Sequence, residues 1–129
     1  MLLGGLIGVT GKFVDIIKVL NKNVFYKIIG KETTAIISVG YLWDGVRSLY
    51  VVSSNINGSD SRITIITEYT GSDKNYTANF YTDSVGNVYI KGRGNSFTAQ
   101  LISLTGKVSL EETLKTESEL NLIRNNINS

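Results

Sequence analysis

The sequence predicts an all-β domain, a sandwich or barrel, and three observations carry that reading. Apolar residues recur with period two over several short runs, as they must when successive side chains point to opposite faces of a strand. Those runs are rich in β-branched and aromatic residues, which suit a pleated, half-buried surface. Clusters of Gly, Asn, Asp and Ser ("SNINGSDS", "TGSDKN", "DSVGN") separate them at roughly ten-residue intervals, the spacing of a sandwich or barrel.

Taken in order, strands are predicted at 13–20, 24–29, 33–41, 46–54, 62–69, 75–82, 87–91 and 96–104. The first segment, "FVDIIKVLNKNVFYKIIG", has a composition open to one amphipathic helix. Val14, Ile17 and Val19 make no clean helical stripe, however, and "NKN" is a turn, so two strands are preferred. In "TTAIISVGYL", Ala35, Ile37, Val39 and Tyr41 share a face. In "RITIITEY" the shared face is Ile63, Ile65, Thr67 and Tyr69, and in "NYTANFYT" it is Tyr76, Ala78 and Phe80. "SFTAQLIS" sets Phe97, Ala99 and Leu101 against Thr98, Gln100 and Ile102. The stretch from Val46 to Lys91 reads as a four-stranded meander. The C-terminal segment changes character. Ser109 and Glu112 match a capping box, so either a short helix or a strand through Val108 and Leu110 followed by a tail is open, with Leu120, Leu122 and Ile123 docking on the body.

Composition narrows the chemistry. The 129 residues suit a single domain with a real core, assigned to 13–129. Residues 1–12, "MLLGGLIGVTGK", form a Gly-rich apolar connector, too short to span a bilayer and lacking the basic start of a signal peptide. No membrane-spanning segment appears, so no membrane insertion is expected. The chain has no Cys and no His, which removes disulfides, thiol nucleophiles, Ser-His-Asp and Cys-His mechanisms, and the commonest transition-metal ligands. Thirteen basic residues face eleven acidic ones, a formal charge of +2, with no footprint for nucleic acid. No cofactor, no metal and no catalytic residue is expected.

Four groups of residues invite a functional reading. "GNVYIKGRGN" holds Gly92 and Gly94 beside Lys91 and Arg93, but a phosphate cradle needs a helix to follow, and "SFTAQLI" alternates as a strand. The stretch is therefore a hairpin with its turn at Asp83 to Asn87, Val88 and Ile90 facing the core, and a basic loop at Lys91 to Asn95. "GYLWDGVRSLY" places Tyr41, Trp43, Asp44 and Arg47 around one loop. Aromatic faces beside planar polar groups suit sugars, and Trp, Tyr and Arg are interface anchors; the plainer reading makes Trp43 a plug at one end of the sandwich and Asp44-Gly45 a turn. Among the seven tyrosines, Tyr69, Tyr81 and Tyr89 stand near loop ends, although any single tyrosine is more often a structural cross-strand partner. The acids Asp44, Asp60, Glu68, Asp73 and Asp83 fall mostly in turns, where Asp is a turn former, and show no calcium-loop spacing; a catalytic carboxylate pair among them is the less favoured alternative.

Several of these runs together carry a family likeness. With its "FVDIIKV", "AIISVGY", "YVVSSN" and "ITIITEY" strands, the "NFYTDSVGNVYIK" hairpin and "SFTAQLISLTGKV" after it, the chain resembles the receptor-binding tip domain of bacteriophage tail fibres over about residues 13–110. The resemblance implies a β-sandwich of jelly-roll type, a homotrimer fed by an N-terminal stalk whose end is residues 1–12, and a place at the tail-fibre tip of the virion. It implies a non-enzymatic adhesin that binds a glycan or protein of the bacterial surface. The family has no binding residues to carry over, so Tyr41, Trp43, Asp44, Arg47, Tyr69 and Arg93 are chosen on loop chemistry. Two rival readings are a carbohydrate-binding module of a larger hydrolase and a structural protein of the virion or tail.

Overall fold

A computed structural model describes residues 15–41, 45–57, 60–94 and 96–123. The connector predicted at 1–12, and with it Trp43 and Asp44, lies outside the described residues. Among the described residues ten strands form: β1 Asp15–Asn21, β2 Tyr26–Ile29, β3 Thr33–Tyr41, β4 Gly45–Ser54, β5 Ser61–Thr67, β6 Ala78–Thr82, β7 Val88–Gly92, β8 Ser96–Thr105, β9 Val108–Glu112 and β10 Asn121–Leu122. Single 3-10 turns at Lys74–Tyr76 and Glu117–Glu119 are the helical elements among the described residues.

The strands build two five-stranded antiparallel sheets, ordered β1-β8-β3-β4-β5 and β10-β6-β7-β2-β9. The first segment is thus two strands, as the broken helical stripe predicts. Between the sheets lies one core, because each strand turns its apolar alternate residues inward. Ala35, Ile37 and Val39 of β3, Tyr50 and Val52 of β4 and Phe97, Ala99 and Leu101 of β8 meet Tyr26, Phe80, Val88 and Ile90 of the opposite sheet. Burying each large apolar side chain here contributes about 1.5–3 kcal/mol. A register shift within β2 lets the consecutive Ile28 and Ile29 both bury, as the extra residue of a bulge allows.

The expected meander from Val46 to Lys91 is corrected. β4 and β5 pair in one sheet, and β6 and β7 pair in the other. The chain changes sheets after β5, and the 3-10 turn Lys74–Tyr76, capped by Asp73 accepting from the Asn75 N–H at 2.9 Å, lies on that crossing. Alternation looks the same on either side of a sandwich, so it does not reveal such a crossing.

The C-terminal alternatives also resolve. Ser109 caps no helix: it lies in β9, and its hydroxyl donates to the Lys27 carbonyl at 2.9 Å, with Val108 and Leu110 buried. The capping contact stands further on, where the Glu119 carboxylate accepts from the Thr116 N–H at 2.9 Å and from its hydroxyl at 3.1 Å. Beyond it, β10 pairs with β6 and the Ile123 N–H donates to the Phe80 carbonyl at 2.8 Å. This lays Leu120 over Phe25, Tyr81 and Tyr89, a second apolar cluster on the outer face of the sheet. Of the docking residues expected, Leu120 is buried, Ile123 packs half-buried against the core and Leu122 stays 38% exposed.

Candidate functional site

The loop side chains predicted from chemistry converge, in part, on the 3-10 turn. The organiser is Ser48, which sits on the inward face of β4 in register with Tyr50 and Val52 and is fully buried. A buried hydroxyl needs partners, and Ser48 has two. Its Oγ donates to the Tyr76 carbonyl at 2.6 Å and accepts from the Tyr69 N–H at 3.0 Å. One serine therefore ties the segment after β5 to the turn that follows it.

With their backbones so fixed, the Tyr69 and Tyr76 rings pack at 4.7 Å between centroids. The Arg47 guanidinium, from the start of β4, lies over both rings, 5.0 Å from the centroid of Tyr76 and 6.0 Å from that of Tyr69. Such a cation over aromatic faces gains about 0.5–1 kcal/mol where exposed. Tyr76 is buried, Tyr69 half-buried and Arg47 exposed, so the cluster runs from the core to the surface. Gly71 completes it, since a Cβ there would overlap the Tyr69 phenol.

Beside the rings, the buried Tyr50 donates its phenol to Glu68 Oε2 at 2.6 Å. Burial first, and then this bond to a carboxylate, push the Tyr50 phenol far above its ordinary range. On the other side of the turn, Arg93 donates from Nη1 to Thr77 Oγ1 at 3.0 Å. Gly94 lies against Asn75, where a Cβ would meet that residue's side chain and backbone. Its role, like that of Gly92 beside the Phe97 ring, is close packing.

Of the predicted residues, Arg47 and Tyr69 meet directly and Arg93 joins the same turn through Thr77. Tyr41 ends β3 opposite Gly45, and its backbone pairing is what the structure describes of it. Sequence reasoning passed over Ser48 and did not single out Tyr76. The signal for Ser48 was present: a serine in phase with Tyr50 and Val52 is a polar residue on a core face.

Besides Glu68, which accepts from Tyr50, three of the acids singled out are described in turns or ion pairs. Asp60 pairs with Arg62 at 2.9 Å, Asp73 caps the 3-10 turn, and Asp83 holds the β6–β7 hairpin. Among the described residues no group of three or more Asp and Glu converges on a metal position. No helix among them is long and apolar enough to cross a membrane. No protein-family model, curated protein or solved structure matches the chain significantly.

Proposed function

We propose that this domain is a non-enzymatic adhesin, the receptor-binding tip of a bacteriophage tail fibre, which recognises a glycan or protein on the bacterial surface. The observation that carries the reading is the Arg47–Tyr69–Tyr76 cluster. It offers a guanidinium and a half-buried phenol at the surface, and the buried Ser48 fixes the backbone beneath them. Binding side chains at a strand start and on a loop, both held by a rigid scaffold, suit recognition, because little ordering is left to do when the ligand arrives.

The ladders β1–β8 and β2–β7 pair strands from opposite ends of the chain, which supports a jelly-roll type of sandwich. The tip works as a homotrimer, in which several weak sites act together through effective concentration. The test is binding of fluorescently labelled protein to a panel of intact bacterial strains, with light scattering for the assembly state. The expected result is binding to a subset of strains, lost on the double substitution Arg47→Ala with Tyr69→Ala and kept on Arg62→Ala, from a trimeric species. Binding that ignores the double substitution, or no strain bound at all, overturns the adhesin assignment, and a clean monomer overturns the trimer.

A further inference from the structure

A second feature stands on the other side of the Lys74–Tyr76 turn. A cleft of about 410 Å3 opens there, and its lining includes Lys22, Lys74, Lys91, Arg93 and a single acid, Glu117. The lining thus carries four basic residues against one acid, where the whole chain carries thirteen against eleven. A further cleft, of about 470 Å3, is more nearly neutral: Lys27, Lys31 and Lys107 stand with Glu32 and Glu111.

The cations come from four separate segments: the β1–β2 turn, the 3-10 turn, β7 and the loop after it. Bringing like charges together costs Coulomb energy, and an anion in the cleft relieves it. Two of the four are held in place. Arg93 is fixed by its bond to Thr77. Lys91 Nζ rests 5.0 Å from the Phe25 ring centroid and 3.3 Å from Glu117 Oε1, with its side chain 24% exposed. Lys22 and Lys74 stand exposed at the rim, as do Asn23 and Asn79, whose amides both donate and accept.

We infer that this cleft binds an acidic saccharide, with the lysines and Arg93 on its carboxylate, phosphate or sulfate and the two asparagines on its hydroxyls. The choice of a saccharide as carrier of the anion rests on the adhesin reading; the cleft's preference for an anion does not. A nucleic-acid strand fits less well, because it asks for a basic stripe along its phosphates and the charge beyond this cleft is balanced. Glu117 has a definite part: it occupies Lys91 in the free protein, and the ligand's anion takes its place.

Calorimetric titration of the whole chain tests this with four probes: tetragalacturonate, a heparin-derived tetrasaccharide, neutral maltotetraose and an eight-nucleotide oligothymidylate. Either or both acidic saccharides bind, which distinguishes carboxylate from sulfate, and maltotetraose does not. Lys74→Gln weakens binding roughly fivefold and adding Lys22→Gln weakens it further, as for exposed charge contacts. Glu117→Gln tightens binding, a gain that damage to the fold does not produce. The proposal is overturned if neither acidic saccharide binds, if maltotetraose binds equally well, if the oligothymidylate binds tightest, or if Glu117→Gln leaves affinity unchanged or lower. Cell binding without saccharide binding removes this inference alone, and saccharide binding without cell binding removes the tail-fibre reading alone.

Discussion

Tyr89 and Asp83, six residues apart across the β6–β7 hairpin, are joined by a hydrogen bond of 2.9 Å from the phenol to Oδ2. The same carboxylate accepts from the Asn87 side chain at 2.8 Å and from the Val85 and Asn87 N–H groups at 3.0 Å each. Gly86, at φ +90°, supplies the left-handed residue that the turn requires.

Partial burial by itself raises the Asp83 pKa, but the Asn87 side chain, the Tyr89 phenol and the two N–H groups outweigh it and hold the carboxyl below its ordinary 3.8. A carboxylate with a depressed folded pKa stabilises the fold above its unfolded pKa, and that stability is lost as pH falls through the folded value. Asp83→Ala therefore costs about 2–3 kcal/mol at neutral pH, and the gap from the parent narrows below pH ~4. Urea unfolding of both proteins at neutral and acid pH checks this; a constant gap would contradict it.

Two phenols act at the other end of the scale. Burial, followed by the bond to Asp83, pushes Tyr89 up to about 12, and burial with Glu68 pushes Tyr50 higher still. A raised folded pKa means that stability is full below the unfolded pKa, near 10, and is lost as pH rises through the folded value. The protein is expected to unfold in alkali across that window, and an ultraviolet phenolate titration should show both tyrosines ionising only as it unfolds. Tyr50→Phe costs about 1 kcal/mol at neutral pH and moves alkaline unfolding upward.

Ser48 offers a sharper test, because its loss leaves two backbone groups without their partner. Ser48→Ala should cost about 1–3 kcal/mol and loosen the packing of Tyr69 on Tyr76. Urea denaturation reads the first effect, and near-ultraviolet circular dichroism of the tyrosines reads the second. A neutral substitution would mean that water replaces the hydroxyl.

Gly92 is predicted to resist even one methyl. A Cβ there would collide with the ring of Phe97, itself 1% exposed and unable to yield. Gly92→Ala should destabilise by about 1–3 kcal/mol, and Phe97→Leu should recover part of that loss in a double-mutant cycle.

The strands were legible because each has one apolar face against the core, and period two records that directly. Sheet membership was not: Ile63 of β5 and Phe80 of β6 face the same core from opposite sides, so their patterns match although their sheets differ. The outer cluster escaped for a related reason. Tyr81 and Tyr89 occupy what alternation marks as the solvent face, and their cover, Leu120, comes from a segment tens of residues later. Of the site, Arg47, Tyr69 and Arg93 were found because their chemistry is conspicuous in or beside a loop. Their mutual placement depends on Ser48 and on a chain crossing that no local pattern encodes.

The ladder pairs also govern when this molecule can exist. Asn21 pairs with Ser96 and Tyr26 with Glu112, so the strands made first have no complete neighbours until most of the chain has been synthesised. Loop closure over such separations must be met before the pairing returns any energy, which puts folding on the ms–s scale typical of non-local β topologies. On the ribosome the local β3–β4–β5 and β6–β7 pairings are available early, whereas β1 and β2 wait for β8 and β9 before either sheet is whole.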